Sequence, residues 1–428
     1  MSEVMKNQEV MVIGGGVAGL KASLLLAGAG IKTYLVEKES WIGGQTIKFE
    51  EVYPNMECAT CMVAPLQQDV LQNENITLLL LSEVRKVEGT AGDFKVKIHK
   101  KAAYVKADDC IGCGACYEPC PVSLDNKFEE KLSQKKAISV PCPGALPNVP
   151  VIDPESCLRL NGKKEDCTAC QEACVFGAVD FLDKDRAIDL EVGAILVATG
   201  FDMFDLKSLS QFGYGKFPNV YTAMEFERLY AQNGPTEGQL ILRDKKELQS
   251  IGIIHCAGRE EQGYCSGICC SYSVKFSHFL KEKMAGSKIR HFYKDLCIPG
   301  KSHQKFYEDV KNKGVLFNNY DEIEVDGQNG SLQIKYKNGN SRGETVDVDM
   351  IIVSPAMTPG KDSEQLAGVL GIRLDEHGFF AAQDEQLSPV TSDKTGVYIT
   401  GCAEGPKDIP ESIAQAEAAV GKIILSFQ

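Results

Sequence analysis

Two groups of closely spaced cysteines constrain this chain more than any other feature of its sequence. The first group is the run Cys110-x2-Cys113-x2-Cys116-x3-Cys120-Pro121. This is the spacing by which bacterial ferredoxins bind [4Fe–4S] clusters. The second group is Cys256-x8-Cys265-x3-Cys269-Cys270, which follows no ferredoxin spacing. Whatever its fold, the chain has to gather thiols at two separate places.

The expected compartment helps to decide whether the cysteines form disulfides or bind metal. The chain has 428 residues and 17 cysteines. Its N-terminus, MSEVMKNQEV, lacks the charged stretch and apolar core of a signal peptide. We therefore expect a cytoplasmic protein, and structural disulfides are rare in that compartment. Thiols spaced two or three residues apart then indicate metal ligands.

Charge and hydropathy argue against two classes of protein: nucleic-acid-binding proteins and integral membrane proteins. The formal net charge is −13, and no basic stripe or tail offsets it. A nucleic-acid partner is therefore not expected, because binding phosphates requires clustered positive charge. No segment approaches the roughly 18–20 uninterrupted apolar residues of a membrane span, so we do not expect an integral membrane protein.

A glycine-rich turn near the N-terminus predicts a dinucleotide site. A short apolar strand, Glu9–Ile13, leads into Gly14-x-Gly16-x-x-Gly19, and a helical stretch follows. A second strand, Thr33–Val36, ends at Glu37, which is placed to bind a ribose hydroxyl. The alternative, a packing turn rich in glycine, leaves Glu37 unexplained. We predict that this unit binds the pyrophosphate of FAD at a helix N-terminus.

Three further glycine positions extend this prediction. Gly43-Gly44 follows the second strand and allows another close approach of backbone to the phosphates, as in FAD-binding folds. Ala198-Thr199-Gly200 ends a buried strand where chains commonly leave an FAD domain. Gly401 follows the strand Val397–Thr400 and precedes the last helix, a unit that typically returns to the flavin.

These signals together predict an α/β flavoprotein with two dinucleotide-binding (Rossmann-type) domains, like the thioredoxin and disulfide reductases, and an inserted α+β ferredoxin domain. The predicted FAD domain consists of residues 1–100, 186–235 and 356–428. The insert is residues 101–185, and the second nucleotide-domain-like unit is residues 236–355.

The insert carries a second, looser cysteine run. That run is Cys157-x9-Cys167-x2-Cys170-x3-Cys174. In two-cluster ferredoxins the fourth cysteine of each run binds the other cluster. The crossed sets predicted on this rule are Cys110, Cys113, Cys116 and Cys174, and Cys120, Cys157, Cys167 and Cys170. A zinc site, which needs no crossing, is the alternative chemistry, and Cys142 is an alternative to Cys157.

The second cysteine group lies where an NAD(P)H site is expected. The strand Ser250–His255 runs into Cys256-Ala257-Gly258 and not into a glycine fingerprint. We predict a third [4Fe–4S] cluster on Cys256, Cys265, Cys269 and Cys270, with buried core thiols as the alternative. Lys275, one turn further on, is a candidate catalytic residue that stabilises reduced states, or else a lysine facing solvent.

The remaining thiols leave several roles open. Cys58-x2-Cys61 follows Gly43-Gly44, where disulfide reductases carry a redox-active pair. A redox dithiol, ligands of a cluster shared with another chain, and buried or helix-capping thiols are the alternatives. Cys402 follows Gly401 and is expected to pack near the flavin rather than to act as a nucleophile.

The whole set of motifs resembles the A-type (HdrA-like) subunit of the heterodisulfide reductase family. The resemblance is carried by the Gly14–Gly19 turn, the insert, and the segments Cys58–Cys61, Cys265–Tyr272 and Gly401–Pro410. It implies FAD, several [4Fe–4S] clusters and a place in a multi-subunit redox complex of anaerobic metabolism. Some family members divide a flavin's electron pair between two acceptors, which is called electron bifurcation. Within this resemblance we expect a short form, without the N-terminal extension and the C-terminal ferredoxin module of the longest members.

The sequence therefore predicts an electron-transferring flavoprotein subunit with FAD and three [4Fe–4S] clusters. Expected partners are other redox subunits (HdrB/HdrC-like, or iron–sulfur subunits linked to a hydrogenase or dehydrogenase), with ferredoxin and homo- or hetero-oligomers as further options. The alternatives are a self-contained NAD(P)H-dependent oxidoreductase of the disulfide-reductase kind and a scaffold whose clusters are only structural.

Overall fold

The computed structural model describes residues 7–244, 247–328, 331–339 and 342–428. Residues 1–6, on which the signal-peptide prediction partly rests, lie outside these ranges. The helices of the described residues are α1 (Val17–Gly28), α2 (Ala59–Gln72), α3 (Ala169–Glu172), α4 (Ala223–Tyr230), α5 (Arg259–Gln262), α6 (Cys269–Lys283), α7 (His303–Asn312), α8 (Ser363–Leu370) and α9 (Ile409–Ser426). The first strands are β1 (Val10–Ile13), β2 (Thr33–Val36), β3 (Glu51–Val52), β4 (Glu57–Cys58), β5 (Ile76–Leu79), β6 (Ser82–Thr90), β7 (Asp93–Lys100), β8 (Ser123–Asp125), β9 (Gln134–Lys136), β10 (Ile138–Ser139), β11 (Val151–Ile152) and β12 (Arg186–Val192). The later strands are β13 (Ala194–Val197), β14 (Phe201–Met203), β15 (Val220–Thr222), β16 (Ser250–Ala257), β17 (Lys288–Tyr293), β18 (Leu316–Asn319), β19 (Glu322–Gln328), β20 (Ser331–Lys337), β21 (Glu344–Val348), β22 (Met350–Pro355), β23 (Met357–Pro359) and β24 (Val397–Ile399).

The first large sheet is parallel throughout, in the order β24-β13-β1-β2-β5. Its strands come from three separated stretches of the chain. The central strands β1 and β13 are short and wholly buried runs of apolar residues. Such continuous apolar strands are typical of parallel sheets that are covered on both faces.

Each face of the first sheet has its own cover. Helices α1, α2 and α9 pack on one face through side chains such as Leu26, Val63 and Val420. The antiparallel sheet β12-β7-β6 and helix α8 pack on the other face, with Phe94 and Leu370 fully buried. Burying an apolar side chain of this size stabilises the fold by about 1.5–3 kcal/mol.

The insert is the connection between two strands that already pair. Strands β7 and β12 are antiparallel neighbours, and Lys100 lies opposite Arg186 in their register. The chain therefore leaves and re-enters the sheet at adjacent points, so a long connection does not disturb the pairing. Residues 101–185 form this connection, with the hairpin β8-β9, the pair β10-β11 and the bridge between Val105 and Val179.

The second large sheet repeats the first design. It is parallel, in the order β15-β22-β16-β17-β18. Helices α4, α6 and α7 cover one face, and the antiparallel sheet β19-β20-β21 covers the other through side chains such as Ile334. The predicted fold class, two Rossmann-type units with a ferredoxin insert, is confirmed.

One predicted boundary differs from the strand pairing. The predicted FAD-domain segment 186–235 includes residues 220–230, but β15 pairs with β22 and Phe226 of α4 packs in the core of the second unit. The local sequence of β15 is compatible with either parallel sheet, so only the pairing decides. The antiparallel pair β14-β23 forms the two-stranded connection between the units.

Helix α4 joins three parts of the molecule through two consecutive charged residues. Arg228 is fully buried and forms a bidentate pair with Glu129 of the insert, with Nε–Oε2 at 2.8 Å and Nη2–Oε1 at 3.1 Å. Its Nη1 also donates to the carbonyl of Lys48, which lies shortly after Gly43-Gly44, here called the flavin-type loop. Glu227 accepts from Lys275 of α6 at 2.7 Å and from the backbone N–H of Glu50 at 2.9 Å.

We predict that Arg228→Met destabilises the protein by about 3–5 kcal/mol, because Glu129 is left as a buried charge without its partner. The measurement is the midpoint of thermal unfolding of the cofactor-loaded protein. The matched control is Arg373→Met, which removes an exposed pair with Asp393 at 2.8 Å. The control substitution should lower the free energy of unfolding by about 1 kcal/mol or less. Equal midpoints for the two variants would contradict the interdomain role of Arg228.

Candidate functional site

The glycine turn lies between β1 and α1 and is packed too tightly for side chains. A Cβ on Gly19 would lie 1.9 Å from the carbonyl oxygen of Gly14. The turn can therefore close onto α1 only with glycine at position 19. Gly16, in contrast, has no neighbour closer than the Cα of Gly44 at 4.0 Å. Space is thus left beside Gly16 at the N-terminus of α1, where an anion is favoured.

Glu37 stands at the end of β2 and faces this turn. Its Oε2 accepts a hydrogen bond from the backbone N–H of Gly15 at 2.6 Å, and its Oε1 accepts from the N–H of Glu39 at 2.9 Å. Burial raises the pKa of the Glu37 carboxyl. A half-buried acid held in this way is positioned to bind a hydroxyl group at the edge of the sheet.

Gly43 and Gly44 bring a second loop onto the first. The N–H of Gly43 donates to the carbonyl of Gly15 at 2.7 Å, and Gly16 and Gly43 form an isolated bridge. Gly44 has φ +60°, and a Cβ on it would lie 2.8 Å from the Cα of Gly16. Both loops therefore expose backbone at one place.

Gly200 and Gly401 follow β13 and β24, so they reach the same carboxyl edge of the first sheet. Three buried oxygens on residues next to the predicted FAD-site glycines lack a hydrogen-bond partner among the described residues. They are Oγ1 of Thr199 (before Gly200), Oγ1 of Thr400 (before Gly401) and Oε1 of Gln45 (after Gly44). Buried polar atoms normally have partners. A polar ligand at this edge would supply them, and the residues therefore fit a bound FAD.

In the insert, the structure brings the predicted crossed cysteines together. Four of them line one cavity: Cys120, Cys157, Cys167 and Cys170. Burial raises the pKa of the Cys170 thiol to about 11, and the Cys157, Cys120 and Cys167 thiols add to that shift. Cys142 lies elsewhere, in the core that contains Phe128 and Ala145.

The other predicted set belongs to the same small core, with Cys116 buried in it and Cys110 and Cys174 packed against it. Burial raises the pKa of the Cys116 thiol to about 12, with contributions from the Cys170, Cys110 and Cys174 thiols. Backbone N–H groups donate to the sulfurs of Cys110 and Cys174, each at 3.4 Å. Cys113 is exposed.

Among the described residues, no group of three or more Cys, His, Asp or Glu side chains converges closely enough to bind a single metal ion. The thiols of two of the three predicted sets line cavities instead. A zinc ion requires four ligands at about 2.0–2.3 Å from one point. In a [4Fe–4S] cluster each thiolate binds a different iron atom, so thiols arranged around a cavity fit that group.

The third set gathers at the carboxyl edge of the second sheet. Cys256 ends β16 with φ +63°, beside a register shift between Ile254 and Ala257. A bulge of this kind redirects a side chain at a functional site. Cys269 and Cys270 begin α6, and burial raises the pKa of each thiol to about 12. One cavity is lined by Cys256, Cys265, Cys269, Cys270 and Cys297.

Sequence reasoning missed Cys297. This residue follows β17, the parallel neighbour of β16, and its backbone N–H donates to the sulfur of Cys270 at 3.4 Å. The carboxyl ends of adjacent parallel strands meet at one edge of a sheet. A cysteine shortly after β17 was therefore a signal that could have been used, once β16 and β17 were expected to pair.

Lys275 is buried, so it does not face solvent. Its Nζ donates to both carboxylate oxygens of Glu227, at 2.8 and 2.7 Å, and to the carbonyl of Glu51 at 2.8 Å. It lies 5.7 Å from the ring centroid of Phe49. Lys275 thus connects the helix that begins with Cys269-Cys270 to the chain segment that follows Gly44. Its catalytic role stays a prediction.

Cys58 and Cys61 are joined by a disulfide at the start of α2, with their Cα atoms 5.3 Å apart. Cys58 is the N-cap of α2, and its sulfur accepts from the N–H of Cys61 at 3.2 Å. Both residues are exposed, which excludes the interpretation as buried thiols. Cys402 is half-buried, and its thiol donates to the carbonyl of Lys407 at 3.4 Å.

No helix of the described residues is both long and apolar enough to cross a membrane.

Solved structures share the fold. The chain is similar to the thioredoxin reductase of Lactococcus lactis (FR conformation), with a TM-score of 0.54 and 14% identity over 98% of this chain and 99% of that one. It is also similar to the thioredoxin reductase of T. acidophilum, with a TM-score of 0.52 and 12% identity over 99% and 98% of the two chains. At such identities the likeness concerns the fold alone.

Sequence relatives are much more similar. Residues 9–57 match the FAD dependent oxidoreductase family, and residues 103–123 match the 4Fe-4S binding domain family. The chain is 36% identical over 430 residues to the A-type subunit of the H(2):CoB-CoM heterodisulfide,ferredoxin reductase of Methanothermobacter thermautotrophicus, covering 98% of this chain and 64% of the relative. It is 38% identical over 434 residues to the first A-type iron-sulfur subunit of the CoB--CoM heterodisulfide reductase of Methanopyrus kandleri, covering 98% and 64%.

A third relative, the A-type subunit of the Ferredoxin:CoB-CoM heterodisulfide reductase of Methanosarcina mazei, is 35% identical over 98% of this chain and 53% of its own length. The chain thus spans between about half and two thirds of the length of these relatives. The resemblance seen in the motifs is confirmed over nearly the whole chain. Over nearly its whole length the chain is similar to the A-type subunits of heterodisulfide reductases.

Proposed function

We propose that this chain is an electron-transferring oxidoreductase subunit in which FAD connects [4Fe–4S] clusters. The observation that carries the proposal is the thiol-lined cavity at the carboxyl edge of the second sheet. In a two-unit flavoprotein fold this edge is where a nicotinamide nucleotide binds. Here the chain offers cysteines in place of the glycine fingerprint, so the donor or acceptor next to the flavin is a cluster.

The residues proposed to hold FAD lie at the carboxyl edge of the first sheet: Gly14, Gly16, Gly19, Glu37, Gly43, Gly44, Gly200 and Gly401. Their backbone groups approach the phosphates at the N-terminus of α1, and Glu37 orients the ribose. When bound, FAD exchanges electrons in pairs while [4Fe–4S] clusters carry them singly.

Three clusters are proposed on the cysteine sets described above. The first set is Cys110, Cys113, Cys116 and Cys174, the second is Cys120, Cys157, Cys167 and Cys170, and the third is Cys256, Cys265, Cys269 and Cys270. One cavity is lined by the second set and another by the third set, which supports this assignment. Lys275 is proposed to hold α6, and with it Cys269 and Cys270, against the flavin-type loop.

The proposed partners are other redox subunits of an anaerobic, cytoplasmic complex, since the relatives are named as subunits and two of them are named with ferredoxin. B- and C-type subunits (HdrB/HdrC-like) and hydrogenase- or dehydrogenase-linked iron–sulfur proteins belong to this class. The exposed side chains of Ile111, Val175 and Phe176 beside the first cysteine set support contact with a partner there. Division of the flavin's electron pair between two acceptors is part of the proposal for the assembled complex.

The first prediction separates this function from a self-contained NAD(P)H-dependent oxidoreductase. We expect the purified protein to keep its oxidised flavin under anaerobic NADH or NADPH, because the second sheet offers no glycine fingerprint for a dinucleotide. Dithionite should bleach both flavin and clusters, followed by absorbance and EPR. Rapid bleaching by either nucleotide, without partners, would overturn the proposed electron transfer between clusters. Clusters that dithionite leaves unreduced would favour the scaffold alternative.

A second prediction concerns FAD. We expect Gly19→Ala to lose most of its flavin, because the added Cβ would lie 1.9 Å from the Gly14 carbonyl and must displace the turn. The readout is flavin absorbance per chain after purification. The matched control is Gly28→Ala at the other end of α1, where a Cβ meets nothing within 4 Å. Full flavin content in both variants would contradict the assignment.

A third prediction distinguishes Cys157 from Cys142. Cys157→Ser should lose up to about four iron atoms per chain or convert the cluster to a form with fewer irons, because one thiolate of the second set is missing. Cys142→Ser should keep its iron, since Cys142 packs in another core. Iron and acid-labile sulfide measured per chain check this. Loss of iron from Cys142→Ser alone would reverse the assignment.

A further inference from the structure

The cavity of the third set holds five cysteines, whereas a [4Fe–4S] cluster takes four thiolates. Cys297 is the additional one, and it lies on the loop that joins β17 to α7. Cys297 and the predicted ligand Cys265 line this same cavity.

The loop that carries Cys297 is fastened to the cavity at several points. Asp295 pairs with Arg259 of α5, with its Oδ2 2.6 Å from Nη1, and its carbonyl accepts from the thiol of Cys270 at 3.7 Å. Lys294 pairs with Glu260. The N–H of Cys297 itself donates to the sulfur of Cys270. This loop is held against the site, so its thiol stays close to the other four.

The five thiols are not equally fixed. Cys256 ends a strand, and Cys269 and Cys270 begin a helix, so regular structure holds all three. Cys265 is exposed and lies in the turn between α5 and α6, where its sulfur accepts from the N–H of Gly267 at 3.4 Å. Cys297 is half-buried. Of the four predicted ligands, Cys265 is the one least held by the fold.

We propose that Cys297 is a reserve ligand of the third site that takes the place of Cys265. The exchange is balanced without oxidation or reduction, because the Cys297 thiol gives up a proton as its sulfur binds iron, and the Cys265 thiolate takes up a proton as it leaves. The chain thereby keeps a four-thiolate cluster when its most exposed ligand is lost. This inference rests on the third cluster of the proposed function.

The experiment compares anaerobically purified variants by iron and acid-labile sulfide per chain and by EPR after dithionite reduction. We expect Cys265→Ala and Cys297→Ala each to keep the third cluster. The double variant Cys265→Ala/Cys297→Ala should lose about four iron atoms per chain. The matched control, Cys265→Ala/Cys142→Ala, also removes a second thiol but should keep its iron.

A reference variant, Cys269→Ala/Cys270→Ala, tests the cluster itself. It should lose about four iron atoms, and full iron content there would overturn the third cluster and the reserve ligand together. If the reference loses its iron and Cys265→Ala loses as much, the third cluster stands and the role of Cys297 is overturned. Full iron content in Cys265→Ala/Cys297→Ala would also overturn it.

Alkylation keeps the test decisive if a double variant does not fold. In the holoprotein of native sequence, iodoacetamide followed by mass spectrometry should label Cys297, because a reserve ligand is a free thiol there. In the Cys265→Ala holoprotein, Cys297 should be protected by iron. Equal labelling of Cys297 in the two proteins would contradict the exchange.

Discussion

In both large sheets every strand runs parallel, so the carboxyl ends of the strands meet at one edge of each sheet. The whole arrangement of the site depends on this constraint. At the first edge lie the glycine turn, Glu37, Gly200 and Gly401, which follow β1, β2, β13 and β24. At the second edge lie Cys256, near the end of β16, and Cys297, which follows β17. The strands are mostly apolar, and their order decides which loops become neighbours.

Buried ion pairs and hydrogen bonds hold three parts of the molecule together: the FAD-type unit, the insert and the second unit. Glu227 and Arg228 are consecutive on α4, and between them they bind α6, the insert and the segment after the flavin-type loop. Neither pair is worth much against apolar residues of similar size, because both charges lose their hydration. The pairs fix the orientation of the connected parts, since a bidentate contact is satisfied in only one arrangement. The insert cannot rotate away without leaving Glu129 unpaired.

Local spacing was enough to predict a good part of the site. The glycine turn with Glu37 and the cysteine runs depend on neighbours within a few residues. The structure places Glu37 against the turn and four cysteines of the insert around one cavity. Other features depend on partners far along the chain. Lys275 was expected near the redox groups or in solvent, and its burial against Glu227 and Glu51 excludes only the solvent-facing alternative. Residues 220–230 joined the second unit because β15 pairs with β22.

The sequence by itself determined the kind of chemistry, because glycine spacing and cysteine spacing are local requirements of phosphate and cluster binding. It also determined the fold class, since a strand–turn–helix unit has few ways to pack. Only the tertiary structure decided that a fifth thiol, Cys297, lines the same cavity as Cys265. The two residues are 32 positions apart, and their proximity arises from strand order and from the ion pair between Arg259 and Asp295, neither of which is encoded in short-range spacing.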